Sequence, residues 1–258
     1  MQKIGILYIC TGKYKIFWKS FFESCEKYFL PDSEYEKYYF VFTDTDRIAY
    51  EELDRVNRIH QEPLKWPYIT LLRFEIFSRA IAWYEEMDYL YFFNANMLFL
   101  EKIGEEILPS DGKELVFVKH PGFFNKSISE FTYERDPASR AFIAEGEGEA
   151  YFMGGLNGGF RSAYLEMVET LRKNVELDLD DGIVALWHDE SHLNRYALDH
   201  SSIIKILEPA YGYPEGWKLP FRAKILIRDK NRYGGHGFLR NSLPWYKKIW
   251  RRLVHDRY

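Results

Sequence analysis

The stretch Lys3-Ile4-Gly5-Ile6-Leu7-Tyr8-Ile9-Cys10, followed at once by Thr11-Gly12-Lys13, decides the fold. A short apolar run cut off by a glycine reads as a buried strand. After it, Phe17, Phe21, Cys25 and Phe29 recur every four residues, which predicts a helix from about Tyr14 to Phe29. Pro31-Asp32-Ser33 ends that helix, and Tyr38 to Thr43 is a second buried strand. Strand, helix and strand in that order, with both strands apolar on both faces, predict a parallel unit covered by helices.

The unit continues. Asp44-Thr45-Asp46 reads as a turn. Leu72, Ile76, Ala80 and Trp83 predict a second helix over Tyr68 to Met87. Met87 to Phe93 is a strand that ends in Asn94-Ala95-Asn96, and Leu115 to Lys119 is another. The class is therefore α/β, a mixed, mainly parallel sheet flanked by helices. Ligands of such sheets sit beyond the carboxyl ends of the strands, here Cys10 to Tyr14, Asn94 to Asn96 and the region of His120. The second half reads as poorer in sheet. Gly122 to Gly148 is loop-like, and Tyr151 to Phe160 holds four glycines framed by aromatics, which suggests a backbone approached closely by something flat. Tyr164 to Val175 is helical and Ile203 to Leu207 a strand.

Composition limits the function. The chain has 258 residues and a net charge of −4, which argues against a general nucleic-acid binder. Its two cysteines, Cys10 and Cys25, exclude a disulfide scaffold and fit a reducing compartment. No stretch of 18 apolar residues occurs and no signal peptide is visible, so a cytoplasmic protein starting at or near Met1 is expected. Aromatic residues reach 18%, which predicts either a ring-rich core or a ring-lined groove.

The densest reactive cluster is His188-Asp189-Glu190-Ser191-His192. His188 and His192 are four apart, as in zinc hydrolases, but Asp189 stands where such enzymes need glutamate. A helix start with Asp189 as cap and Glu190 in its first turn is the plainer reading, and carboxylate catalysis is the third. Asn94-Ala95-Asn96 offers two neutral amides at a strand end, poor substitutes for the charged oxygens a hard cation requires, or simply a turn. The loop after the first strand lacks the glycine pattern of a Walker or dinucleotide site, though a base stacked on Tyr14 would fit.

These pieces stand in a known order. The chain resembles glycosyltransferase family 6, the family of the ABO blood-group transferases and α1,3-galactosyltransferase, from about Lys3 to about Asn241. The carrying segments are Ile4 through Tyr14, Trp66 to Phe74, Met87 to Met97, His120 to Phe123, Phe131 to Arg135, Tyr151 to Gly159, and most specifically Trp187-His188-Asp189-Glu190-Ser191-His192-Leu193-Asn194. The resemblance implies a single GT-A domain over residues 1–241 and retaining transfer of galactose or N-acetylgalactosamine from a UDP-sugar to the 3-hydroxyl of a β-galactoside. It implies that Glu190 lies beneath the anomeric carbon as nucleophile or electrostatic stabiliser. Asp189 would bond the donor sugar. Ile9, Thr11 and Tyr14 would frame the uridine, and Arg73, Asn94 and Asn96 would lie at the UDP. His120, Thr132, Met153 and Trp187 would meet the acceptor.

Two departures shape the expectation. Animal members carry Asp-x-Asp where Asn94-Ala95-Asn96 stands, so the expectation is catalysis without a metal ion, with Arg73 and basic residues among Arg228, Lys230, Arg232 and Arg240 facing the diphosphate; Lys230 and Arg240 are the ones assigned. A bacterial member, soluble or peripheral and without the animal anchor and stem, is expected. Gly155 leaves room beside the donor's C2 substituent, which favours UDP-N-acetylgalactosamine over UDP-galactose. By analogy the acceptor is a fucosylated (H-type) galactoside. The other classes weighed are a metal-dependent hydrolase using His188 and His192, and a sugar-binding protein without catalysis. Residues 242–258 carry a net charge of +4 opposite an apolar stripe of Trp245, Ile249 and Leu253, which fits peripheral contact with an anionic membrane or a docked terminal helix.

Overall fold

The computed structural model describes residues 1–240; the basic tail and its membrane reading lie outside the described residues. The run that opened the sequence forms β1 (Gln2–Ile9), paired in parallel with β2 (Tyr35–Thr43), which pairs with β3 (Val56–His60). On the other side of β1 lies β4 (Tyr89–Phe93), also parallel. A short β5 (Met97–Phe99) leaves this sheet, and β6 (Leu115–Lys119) returns to it. Between β4 and β6 runs β7 (Phe152–Phe160), antiparallel to both, and β8 (Ile204–Leu207) closes the far edge. The seven-stranded order is β3-β2-β1-β4-β7-β6-β8. A small second sheet joins β5 to β9 (Tyr213–Pro214) and β10 (Ile225–Ile227).

Alternation along the strands builds a core on each face. Ile4, Ile6, Tyr8, Tyr39, Tyr91 and Phe93 pack with Phe21 and Cys25 of α1 (Trp18–Tyr28) and with Phe29 just after it. Leu7, Phe40, Phe42, Leu90 and Phe92 pack on the other face. There they meet α2 (Tyr68–Leu71), α3 (Arg73–Ser78), α4 (Arg161–Asp180) and α5 (Asp189–Asp199). The ring-rich composition is thus mostly core. A short α6 (Gly235–Leu239) packs back near the 3₁₀ turn Gly12–Phe17.

Three local expectations are corrected. The helix after β1 begins as that 3₁₀ turn and becomes α-helical only at Trp18. The helix expected from Tyr68 to Met87 is broken at Leu72, whose ψ is 15°, and continues as a 3₁₀ turn at Ile81–Tyr84. Phe74 and Phe77 carry the burial there, while Trp83 is half exposed. The glycine-rich run forms β7, an interior strand, so the second half is richer in sheet than expected. The flat group against its backbone belongs to the protein itself, since a Cβ on Gly158 would stand 2.2 Å from the Tyr91 ring.

The antiparallel course of β7 matters for function. It brings the strand's amino end, Phe152 to Gly155, beside the carboxyl end of β4, where Asn94 N–H donates to the Gly155 carbonyl at 2.8 Å.

Candidate active site

A cavity of about 310 Å³ opens at that edge. Its walls include Ile9, Thr11 and Tyr14 after β1, Arg73 on α3, Asn94 after β4, and Gly154 and Gly155 of β7. Trp187, Asp189, Glu190, Lys230 and Arg240 line it as well. Residues separated by more than 200 positions in the chain therefore meet in one concavity.

The start of α5 supplies the carboxylates. His188 is the residue before the helix, with φ of 57°, a left-handed backbone that costs a non-glycine residue about 1–3 kcal/mol. That turn separates an outward Trp187, 48% exposed, from an inward Asp189, 3% exposed. Asp189 lies in the first turn and is not its cap.

Glu190 is half-buried. One carboxylate oxygen accepts the Gly154 N–H at 2.7 Å, and the other accepts the Tyr151 hydroxyl at 3.1 Å. Burial pushes its carboxyl up to about 7, with the Gly154 N–H pulling the other way. Burial likewise raises Asp189 to about 6, against the pull of Arg73. The Arg73 guanidinium bonds the Gly154 carbonyl at 2.5 Å and lies on the Phe92 and Phe74 rings. A Cβ on Gly154 would come within 3.2 Å of the Asp189 carboxylate. Glycine there lets strand and carboxylates approach.

The basic lining residues are equally specific. Lys230 Nζ stands 5.5 Å from the Tyr14 ring centre, and Arg240 stacks on Trp66 at 4.5 Å. Burial, aided by Arg240, lowers the Lys230 ammonium to about 8. The other two basic candidates are used elsewhere. Arg228 is buried and donates to the carbonyls of Asn96, Met97 and Phe17, and Arg232 pairs with Glu215.

Asn94 and Asn96 do not converge. Asn94 lines the cavity, whereas Asn96 is 2% exposed and donates its amide to the Arg228 carbonyl at 2.7 Å. His120, Thr132 and Met153 do not line the cavity wall either. Thr132 accepts the Trp187 indole N–H at 3.0 Å, so those two form one unit at the rim. His120 accepts the Gly122 N–H and sits edge-on to Tyr151, and burial holds its imidazole down near 4. Met153 is buried and packs its methyl against Gly155 and Gly212. The histidine pair proposed for a metal hydrolase splits. His188 lies on Trp66, while His192 is buried with Nε2 3.5 Å from Asp178. Among the described residues no three His, Cys, Asp or Glu side chains gather as a metal site.

The profile of Glycosyltransferase family 6 matches residues 1–240. The chain belongs to that family.

Family 6 relatives agree. The chain is 35% identical over 235 residues to the O-antigen biosynthesis glycosyltransferase WbnI of Escherichia coli, covering 91% of this chain and 97% of that one. It is 33% identical to globoside alpha-1,3-N-acetylgalactosaminyltransferase 1 of Gallus gallus, over 88% of this chain and 67% of that protein. Histo-blood group ABO system transferase 1 of Rattus norvegicus is 32% identical over 83% of this chain and 62% of that protein. The protein is therefore a glycosyltransferase, and its mixed, mainly parallel sheet is the α/β arrangement expected of a GT-A-like fold. Membership of the family implies, in general, a nucleotide-sugar donor and a glycan acceptor. Among the described residues no helix is long and apolar enough to cross a membrane.

Sequence reasoning missed Tyr151 as a partner of Glu190, Gly154 as its N–H donor, and Trp66 under Arg240. All three fall inside segments that carried the resemblance. Only the aromatic framing of the glycine run hinted at Tyr151.

Proposed function

We propose that the protein transfers N-acetylgalactosamine from UDP-N-acetylgalactosamine to the 3-hydroxyl of a β-galactoside, fucosylated (H-type) by family analogy, with retention and without a metal ion. The observation that carries this reading is the Glu190 carboxylate, gripped at both oxygens and lining the cavity beside Gly154 and Gly155. The bond from the anomeric carbon to the diphosphate oxygen breaks, UDP leaves with the electron pair, and the acceptor oxygen bonds to the same face while its proton passes to the departing diphosphate oxygen. A carboxylate opposite the leaving group can shield the oxocarbenium-like centre or bond to it in between.

Neutral amides support the metal-free part of the reading. A divalent cation wants charged oxygens, and here one amide faces the cavity and the other is used in the wall. Arg73, Lys230 and Arg240 line the cavity and are the positive groups proposed to face the leaving diphosphate.

Gly155 supports the acetamido donor, as does the activity for which the Gallus gallus relative is named. One observation favours a second reading, α1,3-galactosyl transfer. The Met153 methyl lies 2.8 Å from where a Gly155 side chain would begin, so part of the room that glycine leaves is filled.

The test is incubation with each UDP-sugar and fucosylated lactose in excess EDTA, with Glu190→Gln as control. Transfer from UDP-N-acetylgalactosamine that EDTA leaves intact and Glu190→Gln abolishes is the expected result. Manganese-dependent transfer sinks the metal-free reading, and preference for UDP-galactose sinks the donor assignment.

A further inference from the structure

Asn194 lies one helical turn beyond Glu190, on α5, and is 3% exposed. Its side-chain oxygen accepts the Phe152 N–H at 2.9 Å, and its amide donates to the Phe152 carbonyl at 2.9 Å. The same amide donates to the Glu190 carbonyl at 2.9 Å. The side chain thus presents to Phe152 what a neighbouring strand would present, a donor and an acceptor side by side.

The second grip is Glu190 on the Gly154 N–H, two residues along β7. Residues four apart on a helix rise about 6 Å, and residues two apart on a strand are about 6.6 Å apart. The two spacings match, so one face of α5 holds β7 at Phe152 and at Gly154. The ladder between β6 and β7 shifts register between Phe117 and Lys119, close to this point. There the side chain adds to an irregular stretch of sheet.

We infer that Asn194 is a positioning residue, which fixes the spacing between Gly154 and Glu190 and so holds the Glu190 carboxylate at the reacting centre. The inference rests on the role proposed above for Glu190. Nothing in it requires Asn194 to touch either substrate. Its effect passes through the Gly154 N–H, whose bond favours the charged carboxylate. The other groups facing that carboxylate are Asp189, Arg73 and Tyr151.

The experiment compares Asn194→Ala, Asn194→Ser, Glu190→Gln and Val168→Ala in the full chain. Serine can still bond the carbonyl four residues back, so it keeps the helix contact and releases the strand. Val168→Ala opens a cavity in α4 at a residue that neither lines the site nor bonds to Glu190 or Gly154, and reports what lost stability alone does. The readings are kcat, donor KM and the pH dependence of kcat, each taken well below the melting temperature. A loosened carboxylate predicts kcat lower by about 10- to 100-fold in both Asn194 variants, with donor KM little changed. The acid limb of kcat should also move to higher pH, which Val168→Ala should not reproduce. Should Asn194→Ala not fold, Asn194→Ser carries the test. If Glu190→Gln is inactive while the Asn194 variants keep kcat and the acid limb, the inference fails alone. If Glu190→Gln keeps full transfer, the reading of Glu190 fails and the inference falls with it.

Discussion

Nη1 of Arg73 lies 2.9 Å from Oδ2 of Asp189, and the two side chains are only 3% and 4% exposed. Burial still outweighs this pairing, since the Asp189 carboxyl is held up near 6. Each charge therefore depends on the other to stay in the fold. Arg73→Met should lower the unfolding free energy by about 3–5 kcal/mol at pH 8, because it strands a buried carboxylate. Arg73→Met with Asp189→Leu should lose much less than the two single losses added. Urea melts of the four proteins measure the coupling; additive losses would mean the pair is not a unit.

Glu190 gives a pH-dependent cost. An ordinary carboxyl titrates near 4.5, and this one is pushed up to about 7. Below pH 4.5 it is protonated in folded and unfolded chains alike and costs nothing. Between 4.5 and 7 the unfolded chain ionises first, so stability falls as pH rises, and above 7 the cost is complete. Glu190→Gln should therefore be more stable than the parent by about 1–3 kcal/mol at pH 8 and no more stable at pH 4.5. Transfer should run the opposite way, rising with pH through a limb near 7, because the working form is the carboxylate. A gain in stability that is the same at both pH values would show that ionisation is not its source.

Much of this was legible in the sequence. The strands β1, β2, β4 and β6 declare themselves as unbroken apolar runs, and Glu190 sits in the most distinctive octet of the chain. The strand β7 was hidden because Gly154, Gly155, Gly158 and Gly159 erase the apolar signal. Their neighbours Tyr91, Met153 and Asp189 fill the missing volume, and that filling exists only after folding. The place of Asn96 was hidden for a similar reason. Spacing puts two amides at one strand end, but only the three-dimensional course of residues 225–228 turns one of them into the wall. The choice of Lys230 and Arg240 over Arg228 and Arg232 also rests on where partners fall, not on residue type.

Lys230 and Arg240 both line the cavity, and burial, aided by the Arg240 charge, brings the Lys230 ammonium down to about 8. In the free enzyme the ammonium is then lost as pH passes 8, and kcat/KM for the donor should fall along that limb. Removing the neighbouring charge by Arg240→Gln should move the limb to higher pH while lowering kcat/KM by about 10- to 100-fold at pH 7. Arg232→Gln, whose partner is Glu215 on the surface, should leave both unchanged. A limb that stays in place in Arg240→Gln would assign it to another group.

Trp187 tests whether the rim belongs to the acceptor. Its indole is half exposed, its N–H is anchored on Thr132 and its backbone N–H on Ser191 Oγ at 3.0 Å. A sugar's C–H face lies well on such a fixed ring. Trp187→Ala should raise acceptor KM by about tenfold or more, worth some 1.5–3 kcal/mol of buried apolar surface, and Trp187→Phe should recover part of it. Thr132→Val leaves the ring in place but frees its anchor, so it should cost only about 1 kcal/mol of acceptor binding. Slow hydrolysis of the donor without acceptor is the internal reference, because it needs Glu190 and the donor wall alone. It should be unchanged in all three variants. If hydrolysis falls in step with transfer, Trp187 is serving the tight turn at His188 that aims Glu190, and the acceptor platform must lie elsewhere on the rim.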